Sequence, residues 1–356
     1  MKKTILHFIH NLGRGGAEVM MVKVIKELKE YNNIVVTISP QNHFGNELEC
    51  DKLICLNVRS ILFFPAAVFQ LKKIIKQYKV DVVHTHLFWP TIIARLGTPG
   101  RIPLVTTIHA FIASSIEYKK SYVRILDKIT YHLRKNIIIT VAKGATKEYF
   151  SFLNLKPYKA FSLYTFVDTR QFNDSHALPS SKSNGNFKLI SVGALRLQKN
   201  HKFLLEAFKK LANENFELDI YGEGPMDKEL QQSIDKHRLK VNLKGEVSNI
   251  EGLINQYDVF VMSSTFEGFS LSVLEAMAMK MPLLLSDIKS FREQCADTAS
   301  YFALDNVNDF VTKIKSMATD RSNLHLSGAD AKERALNNFT LDKHMDGLRK
   351  IYQEII

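Results

Sequence analysis

Cysteine is scarce in this 356-residue chain, which carries only Cys50, Cys55 and Cys295. Their spacing makes neither a disulfide framework nor a metal-ligand pattern, and a reducing cytoplasm is the expected compartment. No apolar run approaches the roughly 18 residues of a membrane-crossing helix. The longest candidate, residues 61–69, contains Pro65. The opening Met1-Lys2-Lys3 followed by apolar residues imitates a secretory leader, but His7 and His10 interrupt it, and it reads as a first strand. A phosphate-loop string, Gly-x4-Gly-Lys-Ser/Thr, is missing, which argues against an ordinary kinase or ATPase. So is the Gly-x-Ser-x-Gly elbow of many hydrolases.

Charge and apolar content are plentiful. Hydrophobic residues make up 46% of the chain, enough for a globular protein, and the length allows two domains. The formal net charge of +12 is unevenly spread. Residues 1–178 carry net +13 and residues 179–356 net −1. A basic first half suits nucleic acid, an anionic membrane or an anionic substrate. No helix-turn-helix, zinc-finger or RNA-binding signature accompanies the charge, so nucleic acid is not an expected partner.

Short apolar runs alternate with amphipathic segments. Strands are expected near residues 5–9, 34–38, 80–85, 104–108 and 136–141, and helices over 17–30, 65–78 and 121–134. Such alternation implies right-handed crossovers and a parallel sheet. Residues 175–186, rich in Ser and Asn, read as a linker. The alternation then restarts, with strands expected at 188–192, 217–221, 241–244, 259–263 and 283–286. The predicted architecture is α/β, with two doubly wound domains over residues 1–178 and 187–340. A last helix, 341–356, is expected to cross back onto the first domain.

Several strand ends carry chemistry. Asn11-Leu12-Gly13-Arg14-Gly15-Gly16-Ala17-Glu18 follows the first strand, and its glycines let backbone approach a ligand. The third glycine of a dinucleotide fingerprint is missing, so a nicotinamide cofactor is a poor fit. His84, His86 and His109 stand at strand ends. His84 and His86 are expected on opposite faces of their strand, and a zinc site would need all three histidines on one side. Arg196 and Lys199 lie between a strand and a helix, where cations would neutralise a diphosphate. Glu267-Gly268-Phe269-Ser270-Leu271-Ser272-Val273-Leu274-Glu275 places one carboxylate on a glycine turn and another on the following helix. A helix N-terminus suits phosphate and a carboxylate accepts from sugar hydroxyls, so the ligand would carry both.

This Glu-x7-Glu string resembles the donor-site signature of the retaining glycosyltransferases of family 4, which have the GT-B fold of two Rossmann-like domains facing across a cleft. The resemblance implies that Glu267 contacts the donor sugar and Glu275 the ribose. The backbone of Gly268, Phe269, Ser270 and Leu271 would approach the sugar and diphosphate, as would Gly15 and Gly16. His109 would lie beside the donor sugar, and Lys199 would meet the diphosphate. The family arginine position holds Ala194, and Arg196, two residues later, takes its place in this reading. Gly222 falls in a Gly-x-Gly-Pro loop, and residues 244–247 resemble the loop bordering the base. No Asp-x-Asp pair occurs, which argues against a metal-dependent architecture. The implied activity is hexosyl transfer from a UDP- or GDP-sugar, without metal or other cofactor, to a glycan or lipid-linked acceptor of bacterial surface polysaccharide or glycolipid synthesis. A sugar-nucleotide epimerase and a non-catalytic binding protein of the same fold remain alternatives.

The segment 118–133 has two faces at helical spacing. Tyr122, Ile125, Leu126, Ile129 and Leu133 make an apolar stripe that reads first as core. Lys120, Arg124 and Lys128 recur on another face. With Phe63 and Phe64, this basic and aromatic surface suits a peripheral seat on an anionic bilayer at the inner face of the cell membrane.

Overall fold

Buried β-branched and leucine-rich runs pack well on both faces of a covered sheet, and here they become parallel strands. In the computed structural model, which describes residues 2–171, 186–247, 251–254 and 256–356, two sheets are built this way. The first contains β1 (Thr4–Ile9), β2 (Asn32–Thr37), β3 (Lys52–Cys55), β4 (Val82–His86), β5 (Leu104–Ile108), β6 (Ile137–Thr140) and β7 (Lys159–Ser162). Their order is β3-β2-β1-β4-β5-β6-β7, and every pair is parallel. The second contains β8 (Phe187–Val192), β9 (Phe216–Tyr221), β10 (Val241–Leu243), β11 (Val259–Met262), β12 (Leu283–Ser286) and β13 (Ser300–Phe302). Their order is β10-β9-β8-β11-β12-β13, again all parallel. Apart from Asn186, the expected linker lies outside the described residues.

Chain order reverses once in each sheet, between β1 and β4 and between β8 and β11. At such a point the loops leave in opposite directions and open a crevice beyond the strand ends. The chain divides into two compact units, Met1–Thr165 with Asp342–Ile356, and Phe166–Leu341. The helix Leu341–Ile355 is tied into the first unit by polar contacts. His84 Nδ1 shares a 2.6 Å hydrogen bond with the Tyr352 hydroxyl, His344 Nδ1 donates to the Tyr164 carbonyl, and Arg349 Nε donates to Glu30.

Three strands escape the apolar pattern: β3, β7 and β13. All three are edge strands, only three or four residues long and partly exposed, too short to stand out as runs. The helix Ser121–His132 also turns out differently. Tyr122, Ile125, Ile129 and Leu133, first read as core, are 53%, 57%, 57% and 58% exposed. The buried face is Val123, Asp127, Thr130 and Tyr131. A carboxylate at the centre of that face hides it from a hydrophobicity argument. Asp127 is buried because Arg95, equally buried, reaches it at 2.5 Å. Tyr118 and Tyr149 donate to the same carboxylate, and Arg95 also donates to Tyr149 and Thr130. Burial, and then the neighbouring Asp127 charge, push both tyrosine hydroxyls well above their usual pKa, so both stay protonated donors. Among the described residues, no helix is long and apolar enough to cross a membrane.

In the second unit the strand-end loops are locked together by backbone. Gly193 N–H donates to the Tyr221 carbonyl, Leu195 N–H to Glu223, and Gly222 N–H to Gly245. Gly222 has φ +142°, and a Cβ there would sit 2.2 Å from the Gly193 carbonyl oxygen. Only glycine allows both the dihedral and the approach.

Two stability outcomes follow. Arg95→Met should cost about 3–5 kcal/mol, because it strands a buried carboxylate. Adding Asp127→Leu should restore part of the loss, and an unchanged urea midpoint for the single variant would refute the assignment. Gly222→Ala should cost about 1–3 kcal/mol through backbone strain, visible as a lower thermal midpoint.

Candidate active site

The second unit gathers most of the expected donor residues at the reversal between β8 and β11. β8 ends at Val192, and the loop that follows runs through Arg196 and Lys199 to the helix His201–Lys210. Lys199 lies over Gly193, where an added Cβ would come within 2.9 Å of its Cε. Ser263, just beyond β11, donates its hydroxyl to the carbonyls of Lys199 and Asn200 and fixes the loop from below. Lys199 is thereby aimed at the turn after β11. Its Nζ stands 2.7 Å from Glu267 Oε1, with both side chains mostly buried. Arg196 shares the loop but is exposed.

Glu267 Oε1 also accepts from the Ser264 hydroxyl at 2.6 Å, while Oε2 meets only a long 3.4 Å contact from Gln198 Nε2. Gln198 Nε2 further donates to the Phe266 carbonyl, and Thr265 N–H donates to the Gln198 carbonyl. The β8 and β11 loops are therefore stitched to each other on both sides of the ion pair. An ammonium has three donors, so Lys199 can hold Glu267 and still address an anion. A carboxylate oxygen with spare lone pairs can accept from a hydroxyl.

Beyond Glu267 the turn is packed rather than open. Gly268 and Ser270 are buried, and Phe269 sets its ring edge-on to Phe339 at 4.9 Å. The Ser270 N–H donates to Gln294 Oε1, whose Nε2 donates back to the Ser270 carbonyl. That amide is thus already engaged. The helix Leu271–Ala278 begins next, so the first-turn amides from Leu271 onward carry the positive end of its dipole. Glu275 sits half-buried on that helix. His201, at the start of its own helix, is held neutral near a pKa of about 4 by burial and then by the Lys199 charge.

In the first unit, Gly15 caps the helix Gly16–Glu27 with extended backbone, and both glycines are exposed beyond the end of β1. His109 follows β5 and is half-buried, with its Nε2 3.0 Å from His86 Nδ1. The expectation that His84 and His86 face opposite ways is corrected here. Residues two apart on a strand share a face, and their rings stack at 4.5 Å. His7, on the neighbouring strand, joins them, with ring centroids 6.0 and 6.5 Å away. The histidines that cluster closely enough to share a metal are therefore His7, His84 and His86, with His109 outside that trio. Beside His109 a cavity of about 70 Å³ extends to Thr91, Arg95, Tyr118 and Asp127.

Sequence reasoning missed Gln198, Ser264 and Gln294, the residues that orient the pair and the turn. Their signal is only that of polar residues in loops. It also missed His7, whose place on a neighbouring strand is visible only once the strands are paired.

Comparison with known proteins places the chain in a family. The pattern described as Glycosyltransferase Family 4 covers residues 14–171, and that of Glycosyl transferases group 1 covers residues 175–334. A Campylobacter jejuni N-acetylgalactosamine-N,N'-diacetylbacillosaminyl-diphospho-undecaprenol 4-alpha-N-acetylgalactosaminyltransferase is 26% identical over 332 residues, covering 88% of this chain and 89% of the relative. An Escherichia coli UDP-Gal:alpha-D-GlcNAc-diphosphoundecaprenol alpha-1,3-galactosyltransferase is 25% identical over 333 residues, covering 85% and 82%. The crystal structure of a glycosyltransferase from Rickettsia africae superposes with a TM-score of 0.83 at 20% identity, covering 99% of this chain and 98% of that one. The fold is GT-B, and the chain is a glycosyltransferase of group 1, with a family 4 domain preceding its group 1 domain.

Proposed function

We propose that the chain is a retaining hexosyltransferase that moves a sugar from a UDP- or GDP-sugar to a lipid-linked or glycan acceptor in bacterial surface polysaccharide or glycolipid assembly. The observation that carries this reading is the buried Lys199–Glu267 pair at the reversal of the second sheet. In this reading Glu267 accepts from a donor-sugar hydroxyl through Oε2, and Glu275 accepts from the ribose. Lys199, helped by Arg196 and the first turn after Ser270, stabilises the charge that grows on the leaving diphosphate. Preorganised donors aimed at developing charge usually give the largest catalytic contribution. Gly15 and Gly16 let the first unit's backbone meet the donor, and His109, backed by His86, contributes beside the sugar. The carbon–oxygen bond to the diphosphate breaks as the acceptor oxygen attacks from the same face. The leaving phosphate takes the acceptor proton, so no protein nucleophile and no metal takes part in the transfer.

Both transferases compared above are named for acceptors on undecaprenyl diphosphate and for alpha-linked products. Those names support a polyprenyl-linked acceptor here, and retention from an alpha-linked donor. A lipid acceptor requires access to a membrane surface. The exposed stripe Tyr122, Ile125, Ile129 and Leu133, with Lys120 and Lys128 also exposed on the same segment, supports a peripheral seat on the inner face of the cell membrane. Each basic residue near an anionic surface is worth about 1 kcal/mol.

A screen of nucleotide sugars by thermal shift should single out one donor without added metal. Lys199→Ala should then lower kcat/KM by about 10²–10³-fold, and Glu275→Ala should weaken nucleotide affinity by about ten-fold or more, as loss of a charged hydrogen bond does. Proton NMR of the product should show the donor's anomeric configuration. An inverted anomer, or full activity in Lys199→Ala, would sink the mechanism, and turnover without any acceptor would favour an epimerase. Separately, Ile125→Glu/Ile129→Glu should abolish most cosedimentation with phosphatidylglycerol vesicles while leaving donor hydrolysis in solution intact. Undiminished vesicle binding would rule out this face as the membrane seat.

A further inference from the structure

A small cavity of about 10 Å³ lies on the face of the first sheet that packs against the helices Gly16–Glu27 and Leu341–Ile355. It has room for a single small occupant. Its walls include Met20, Met21 and Val24, with His344 on the last helix and His7, His84, His86 and Thr107 on the sheet side. β1 and β4 are neighbours with His7 paired to His84, so the sheet register itself brings the imidazoles together.

The hydrogen bonds around the cavity decide what faces it. Asn33 Nδ2 donates to the carbonyls of Leu28 and Tyr31, so the atom it offers His7 is its amide oxygen. That oxygen only accepts, and His7 Nε2 must therefore carry the proton of the 3.2 Å bond. His7 Nδ1 is left as a bare lone pair, buried and without a partner among the described residues. His86 Nε2 is also buried without a partner there, while its Nδ1 contacts His109. His84 Nδ1 and Nε2 lie 2.6 and 2.7 Å from the Tyr352 and Thr107 hydroxyls, so ligation by His84 requires the Thr107 side chain, which also lines the cavity, to turn away from Nε2. One nitrogen from each histidine lies within 4.8 Å of the others.

An unanswered buried acceptor costs about 1–3 kcal/mol. A Lewis acid among convergent imidazoles would offset that cost. Imidazole nitrogens suit zinc, copper and nickel, whereas calcium and magnesium need oxygen ligands. The Asn33 contact on His7 and the His109 contact on His86 fall where outer partners of metal-bound histidines are found.

We propose that His7, His84 and His86 bind one divalent transition-metal ion, zinc being the best match, as a structural clamp between β1 and β4. The site lies within the first unit, on residues of β1 and β4, and its His86 also contacts His109. The test uses the whole chain without a histidine tag. Metal analysis after equilibration with zinc should give one equivalent per chain, and cobalt titration of chelator-stripped protein should give saturable visible absorption at the same stoichiometry. His7→Gln and His86→Gln should each lose that equivalent while keeping the wild-type circular dichroism. X-ray absorption of the wild-type zinc form should show nitrogen ligands at about 2.0–2.1 Å, a readout that stands even if the variants fail to fold. Folded wild type that takes up neither metal would overturn the proposal and leave the cavity to one water. Metal retained by both variants, or a sulfur or all-oxygen shell, would overturn it equally.

Discussion

Every strand pair in both sheets is parallel, and that constraint governs where chemistry can occur. Parallel neighbours need a crossover, and crossovers have one hand, so successive loops leave the same edge of a sheet. The single reversal in each sheet parts those loops and frees the strand ends beneath them. His7 and His84 flank the reversal in one unit, while Lys199 and Glu267 follow its two strands in the other. The same physics is used twice with different side chains: imidazoles in the first unit, and a lysine–glutamate pair in the second, where loops supply extra donors.

The two buried ion pairs show how closure separates scaffold from site. Asp127 takes Arg95 and Tyr149 on one oxygen and Tyr118 on the other, three strong donors buried with it. Such a network fixes a helix by tying three other segments to one carboxylate. Glu267 is different, with Lys199 and Ser264 crowding one oxygen and only a long contact on the other. Burial makes its remaining capacity costly to leave unused, which primes the turn for a hydroxyl-bearing partner.

Interior strands were legible because their apolar runs have no alternative but to be buried. β1, β5 and β12 coincide closely with what composition alone indicates, while the edge strands β3, β7 and β13 do not, since runs of three or four partly exposed residues carry too little pattern. The turn at Glu267 and the helix after it were legible as a strand end, a glycine and a short apolar run. The Arg95–Asp127 contact was not, because its partners lie 32 residues apart and each reads singly as a solvated charge. The exposed apolar stripe on Ser121–His132 was visible as a stripe, but its direction was hidden by Asp127, a charged residue at the middle of the buried face. His84 and His86 were seen but assigned the wrong faces, and the correction is one of strand geometry alone.

The helix Leu341–Ile355 belongs to the unit that the chain begins with, and its Tyr352 meets His84 across 268 positions. Synthesis is vectorial, at roughly 5–20 residues per second, so the first sheet emerges on the order of tens of seconds before its covering helix exists. During that interval the His7–His84–His86 face has only the helix Gly16–Glu27 over it. The first unit is therefore the earlier to be made and the later to be finished, and its maturation is timed by the completion of the second.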